Sequence, residues 1–140
     1  EVNFFSASYL TFEFYKKMKT GHIINICSSG ANSTGWRDMD YERIFYNVSK
    51  KSLKNFSNML QTSKRNSVKV TSIEPAQINT KMGDDTHKGN ISESEYIKQT
   101  KELVPMKPSY ISEVIDWIIK QPDPVVISSI EIQNLIVKQK

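Results

Sequence analysis

The apolar positions of this chain change period along its length, and the changes mark out alternating helices and strands. Over residues 2–17 the aromatics Phe4, Phe5, Tyr9, Phe12 and Phe14 dominate. Phe5, Tyr9 and Phe12 form one helical stripe and Leu10, Phe14 and Met18 another. A helix apolar on two sides is expected to be covered on both, by its own sheet and by a partner chain. Gly21 marks a turn, and residues 22–27 are a β-branched run of the buried-strand kind. Residues 28–44 are polar and glycine-containing, and read as loop. Val48, Leu53, Phe56, Met59 and Leu60 then return to helical spacing over about residues 45–63. A second strand is expected over residues 68–73, followed by a long loop to residue 90 punctuated by Pro75, Gly83 and Gly89. Ser92-Glu93-Ser94-Glu95 resembles a capping pattern for a short helix reaching about residue 103. Pro108 introduces a helix over about residues 109–120 with Ile111, Val114, Ile115 and Ile118 inward, and Pro122 and Pro124 stop it. A last strand is expected over 125–127 and 130–132, irregular at Ser128-Ser129.

Strands alternating with helices and joined by crossovers imply a parallel α/β sheet. In such sheets chemistry gathers beyond the carboxyl ends of the strands. Ser28 stands just past the first strand, residues 75–80 stand just past the second, and Tyr46 begins the helix that starts on the same rim. Tyr46 and Lys50, four apart, share one helix face. A phenol is a poor base at neutral pH, and an ammonium a few ångströms away favours its ionised form. Such a pair can pass a proton to or from an alcohol oxygen.

Composition narrows the alternatives. A chain of 140 residues, 38% hydrophobic and 24% charged, has the size and make-up of one globular domain. No apolar run is long enough to span a bilayer and no signal peptide opens the chain, so no membrane span is expected. The lone Cys27 fits a reducing, cytoplasmic location. It reads as a small buried hydrophobe. His22 and His87 give no metal-ligand spacing, and no metal is expected. The net charge of +4 comes with lysine clusters at Lys16, Lys17 and Lys19, at Lys50, Lys51 and Lys54, and at Lys64, Arg65 and Lys69. With no nucleic-acid reading module beside them, most of these lysines are expected on solvated helix faces, and no nucleic-acid partner is expected.

The motifs together resemble the carboxy-terminal half of a short-chain dehydrogenase/reductase. The run from Gly21 to Ser29 resembles the family's strand leading to its catalytic serine. Tyr46-Asn47-Val48-Ser49-Lys50 matches its tyrosine–lysine signature, and Pro75-Ala76-Gln77-Ile78-Asn79-Thr80 is similar to the segment that holds the nicotinamide. Val2-Asn3 looks like the site of the family's catalytic asparagine. Lys107-Pro108-Ser109 through Gln121-Pro122 and the closing strand resemble the tail of a subgroup acting on alcohols, ketosteroids, farnesol or hydroxy acids. The resemblance implies a Rossmann-like parallel sheet with flanking helices, lacking its amino-terminal cofactor-binding strands, so that residues 1–140 are the catalytic half of one domain. It implies hydride transfer between NADP or NAD and an alcohol or carbonyl group of a small organic or lipid-like substrate. Tyr46 would be the acid or base, and Lys50 would assist it and bind the nicotinamide ribose. Ser28 would bind the carbonyl oxygen, and Asn3 would anchor a water linking Lys50 to solvent. Pro75, Ile78 and Thr80 would face the nicotinamide, with the cofactor carrying the redox chemistry. A homodimer or homotetramer through the first two helices follows from the same likeness.

Ser29 and Ser33 are rivals of Ser28: Ser33 stands nearer the family's usual spacing to the tyrosine, whereas Ser28 fits the strand register. Trp36 and Met82 are candidates for lining the substrate pocket or for lid packing. Ala76 and Asn32 stand where the family has glycines. No Gly-rich phosphate loop occurs, so an incomplete chain is expected, inactive by itself and with cofactor preference unreadable apart from a slight lean to NADP. The contrasting expectation is a catalytically silent remnant serving as a binding or oligomerisation module.

Overall fold

The computed structural model describes residues 2–32, 41–63, 67–80 and 106–135. A π-helical turn, Val2–Ser6, runs into α1 (Ala7–Lys17). Strand β1 (Thr20–Ile26) follows, then a 3-10 turn (Ser29–Asn32), α2 (Tyr41–Thr62), β2 (Ser67–Pro75), α3 (Pro108–Ile119) and β3 (Ser129–Ile132). The three strands form one parallel sheet in the order β1-β2-β3. The α/β class expected from the alternation is therefore the fold observed. Ile26, Ile73 and Ile130 stand in one row across the sheet. Central β2 is buried from Val70 to Pro75, as a strand covered on both faces must be. Pro75, which has no N–H with which to continue the ladder toward β1, ends it.

One face of the sheet carries a core of Tyr15, Leu60, Val68 and Val70, with Met18, Ile23 and Phe56 packed against it. On the other face Lys69 reaches past α3 to the Asp123 carboxylate, 2.6 Å away. Helix α3 starts with Pro108 in its first turn and buries Ile111 and Ile118, with Val114 and Ile115 half-buried beside them.

Several expectations change. Neither apolar stripe of α1 is its buried face: Phe5, Tyr9, Phe12, Leu10 and Phe14 are exposed, and Thr11 and Tyr15 are the buried residues. The cause is a polar patch under the helix. Thr11 Oγ1 donates to Asn25 Oδ1 at 3.0 Å, Asn25 Nδ2 donates to Ser57 Oγ at 2.9 Å, and Ser57 Oγ donates to Leu53 O at 2.8 Å. The Tyr15 hydroxyl meets Leu60 O on α2 and Ser63 Oγ just past its end. A side chain able to hydrogen-bond has to face such a patch, because an orphaned buried polar group is costly. Leu10, Phe14 and Met18 instead line an open groove of about 420 Å³ beside β1.

Helix α2 starts four residues earlier than its apolar spacing indicates, at Tyr41. The last strand is only its second half. Val125 and Val126 are exposed, and the Ile127 carbonyl accepts from the Thr71 hydroxyl at 2.5 Å. Backbone pairing with β2 begins with Ser72 N–H donating to Ser128 O at 3.0 Å. Lys54 and Lys69 are not on solvated faces; each is mostly covered and holds a carboxylate. The helix expected over 92–103, and Ser33, Trp36 and Met82, lie outside the described residues. No described helix is long and apolar enough to cross a membrane.

Candidate active site

At the carboxyl end of β1 the ladder continues one residue beyond the strand, with Cys27 N–H donating to Ile73 O at 2.7 Å. Ser28 then turns the chain. Its Oγ accepts from Gly30 N–H at 3.2 Å and its carbonyl from Ala31 N–H at 2.9 Å, which opens the 3-10 turn. Gly30 leaves room for Asn47: a methyl group there would meet the Asn47 carboxamide oxygen on α2, and that side chain would have to shift to admit it. The serine turn therefore seats directly on the helix residue next to Tyr46. Ser29, inside the 3-10 turn, takes no part in this capping.

On α2, Tyr46, Lys50 and Lys54 fall at i, i+4 and i+8 and so share one face. Lys50 Nζ donates to Ile26 O at 3.1 Å and lies 5.8 Å from the centre of the Tyr46 ring. The last carbonyl of β1 thus draws the ammonium to the strand's end, beside the phenol. Burial holds the Lys50 ammonium below its ordinary value. An ammonium has three N–H groups, and among the described residues only Ile26 O takes one from Lys50. The other two are available to a hydroxylated ligand. Asn3 sits in the π-helical turn, which packs against α2, with its side chain exposed and making no hydrogen bond among the described residues. Such wide turns are often found at functional sites.

Beyond β2 the segment 75–80 is pinned by its backbone. Ala76 N–H donates to Ile132 O at 2.8 Å, and Asn79 N–H donates to Met106 O at 2.9 Å. Asn134 clasps Gln77 from both sides, its Oδ1 accepting from the backbone N–H and its Nδ2 donating to the carbonyl, each at 2.9 Å. Ile78 forms an isolated parallel bridge with Met106. Pro75 is buried, Ile78 half-buried and Thr80 exposed.

The structure thus gathers Ser28, Tyr46 and Lys50 on one rim with the 75–80 segment at the neighbouring strand end. It also shows a group that reading the sequence missed. The Glu74 carboxylate, 1% exposed, accepts from Ser72 Oγ at 2.6 Å and from Lys54 Nζ at 3.0 Å. Lys54 Nζ also donates to Asn32 Oδ1 at 2.6 Å, and Asn32 Nδ2 reaches Glu74 at 3.5 Å. The available signal was the spacing of Lys54 from Lys50, which puts it on the inward face. Cys27 lies within the field of this group: burial first, and the Glu74 charge second, push its thiol up to about 11. It is an inert, neutral thiol.

A parallel sheet with a serine turn and a tyrosine–lysine helix at its carboxyl rim defines a class of α/β proteins. A sequence profile described as short chain dehydrogenase matches residues 1–90, and the chain belongs to that family. No curated protein matches the sequence. Among solved structures it resembles the closed form of serine dehydrogenase complexed with NADP+, at 26% identity and a TM-score of 0.64, over 85% of this chain and 46% of that one. It also resembles 4-hydroxyisoleucine dehydrogenase complexed with NADH, at 20% identity and 0.73, over 96% and 56% of the two chains. A third is an actinorhodin polyketide ketoreductase with NADPH, at 20% and 0.66, over 85% and 48%. The chain spans about half the length of these structures.

Proposed function

We propose that this chain is the catalytic half of an NAD(P)-dependent oxidoreductase acting on an alcohol or carbonyl group of a small organic or lipid-like substrate. One observation carries the reading: the Lys50 ammonium is fixed by Ile26 O beside the Tyr46 ring, with Ser28 on the turn that follows the same strand. The residues present suit the nicotinamide–ribose end of a dinucleotide, since Lys50 has unspent donors, Tyr46 is accessible and Thr80 offers an exposed hydroxyl. When bound, that cofactor supplies the hydride. Tyr46 gives the carbonyl oxygen its proton in reduction and takes it back in oxidation. Ser28 donates to the same oxygen where negative charge develops. Lys50 would offset the charge left on Tyr46 when it gives up its proton and would hold the ribose, Asn3 would anchor a water toward Lys50, and Pro75, Ile78 and Thr80 would face the nicotinamide. Serine dehydrogenase and 4-hydroxyisoleucine dehydrogenase, both matched by the fold, are oxidoreductases of hydroxylated substrates by name, which supports a hydroxyl or its ketone as reacting group.

In this reading further strands extend the sheet beyond the outer edge of β1, where the groove lined by Leu10, Phe14 and Met18 lies open. The exposed Phe5 in the π-helical turn, Tyr9 and Phe12 on α1, and Phe45, Val48 and Met59 on α2 support a homodimer through these helices. The test is reduced-nicotinamide absorbance with the full-length protein against a panel of ketones, alcohols and hydroxy acids. Tyr46→Phe should abolish turnover while leaving the unfolding transition unchanged. Retained turnover refutes the role assigned to Tyr46.

A further inference from the structure

Glu74 and Lys54 form an ion pair inside the protein, and nothing in the proton chemistry above uses it. Its place in the fold is informative. Asn32 lies four residues after Ser28 and closes the 3-10 turn that Ser28 opens. Lys54 lies one helical turn after Lys50. Glu74 lies directly before Pro75. Each of the three segments expected to handle substrate or cofactor therefore sends one side chain to a common point, where Asn32 bonds both charged partners.

A buried ion pair is a poor device for stability, because desolvation offsets much of its attraction, and well-packed apolar residues often do as well. Its particular property is direction: it is satisfied in one arrangement only. We propose that the Lys54–Glu74 pair, bridged by Asn32, is a positioning device that locks the Ser28 turn onto the Tyr46–Lys50 helix and the end of β2. Asn32, Lys54 and Glu74 are positioning residues here and touch neither substrate nor cofactor. Their proposed effect on turnover rests on the oxidoreductase reading above.

The test uses the full-length protein and two variants. Asn32→Ala cuts the bridge and leaves the pair in place. Lys54→Met combined with Glu74→Leu removes both charges together, so that neither is left buried alone. The first readout is amide hydrogen exchange at Gly30 and Ala31, whose N–H groups bond Ser28. Both variants should speed that exchange by about tenfold or more while core amides of β2 keep their protection. The second readout splits the kinetics: kcat should fall by about tenfold or more, with KM for the nicotinamide cofactor little changed. Unchanged exchange at Gly30 and Ala31 in Asn32→Ala overturns the proposal, and that variant decides alone should the double variant fail to fold. Loosened exchange with unchanged kcat overturns the link to turnover. Loosened exchange in a protein whose unmodified form has no nicotinamide-dependent turnover sinks the oxidoreductase reading and leaves the positioning role standing.

Discussion

Replacing Asn25 with leucine tests whether a polar seam, rather than apolar packing, sets strand β1 against helices α1 and α2. Asn25 is 9% exposed and joins Thr11 to Ser57. Leucine keeps the branching and the number of side-chain heavy atoms but is bulkier, so the change removes hydrogen bonds without opening a cavity, and any crowding adds to the loss. Thr11 loses its acceptor, but its hydroxyl can turn back to a carbonyl of its own helix. Ser57 loses an incoming donor and keeps its bond to Leu53 O. Leaving a buried polar group unmet costs about 1–3 kcal/mol, and both losses belong at the low end, so the sum is about 2 kcal/mol. Urea unfolding of the full-length protein should show that loss as a lower midpoint at unchanged slope. The triple change Thr11→Val, Asn25→Leu and Ser57→Ala removes every polar group of the seam and should recover at least about half of the loss, because the cost lies in orphaned groups and not in shape. A single variant within about 0.5 kcal/mol of the parent, or a triple variant worse than the single one, refutes the reasoning.

Three other residues, His22, Cys27 and Gly30, carry the remaining outcomes. His22 is held below its ordinary value of 6.5, by burial first and by Lys69 second. The unfolded chain therefore binds that proton more readily, so the contribution of neutral His22 is full above about pH 6.5 and is lost as pH falls through the folded value. His22→Gln, whose amide can still donate to Thr71, should flatten the acid-side loss of stability, and an identical pH slope would count against it. Because the Thr71 hydroxyl donates to Ile127 O, it accepts from His22, so the neutral ring carries its proton on Nε2, which nitrogen chemical shifts will report. Cys27, pushed up to about 11, keeps its proton more tightly in the fold; its contribution is full below about pH 9 and is lost as pH rises through 11. Cys27→Ala should remove that alkaline loss, and native Cys27 should resist alkylation at pH 8 until urea unfolds the protein. Gly30→Ala drives a methyl into the Asn47 carboxamide and should cost about 1–3 kcal/mol together with turnover. An alanine variant with unaltered melting and activity would show that Asn47 can step aside freely.

The sheet was legible because the β-branched run before Ser28 and the run before Pro75 have the period and length of buried parallel strands. The rim was legible because Tyr46 and Lys50 sit at a helical interval just where a second element should start. Thr11 and Tyr15 were hidden for a physical reason: hydrophobic periodicity locates a buried face only when that face is apolar, and here the helix lies over Asn25, Ser57 and the carbonyl of Leu60. Lys54 was hidden because a lysine in a basic cluster looks solvated until the partner is known. Its carboxylate is twenty residues away on another element, and no local pattern links them. At Val125 and Val126 β propensity misleads, since the chain after Pro124 meets β2 through the Thr71 hydroxyl before its backbone pairs.

The polar seam and the candidate rim are two consequences of one register. Successive residues of a strand face opposite sides of the sheet, so a slip of β1 by one position would turn Asn25 away from Thr11 and Ser57 and bring Ile24 or Ile26 to their hydroxyls. Apolar packing alone would resist this weakly, because Ile23, Ile24 and Ile26 suit either face. The hydrogen bonds that Asn25 makes with Thr11 and Ser57 resist it, because a slip forfeits both and turns the Asn25 carboxamide to the other face without them. The same slip would take the Ile26 carbonyl from under Lys50 and lift Gly30 off Asn47. Polar residues in the core of this family member therefore do what isoleucines could not: they fix which carbonyl ends the strand beneath the lysine, and with it where Ser28 stands relative to Tyr46.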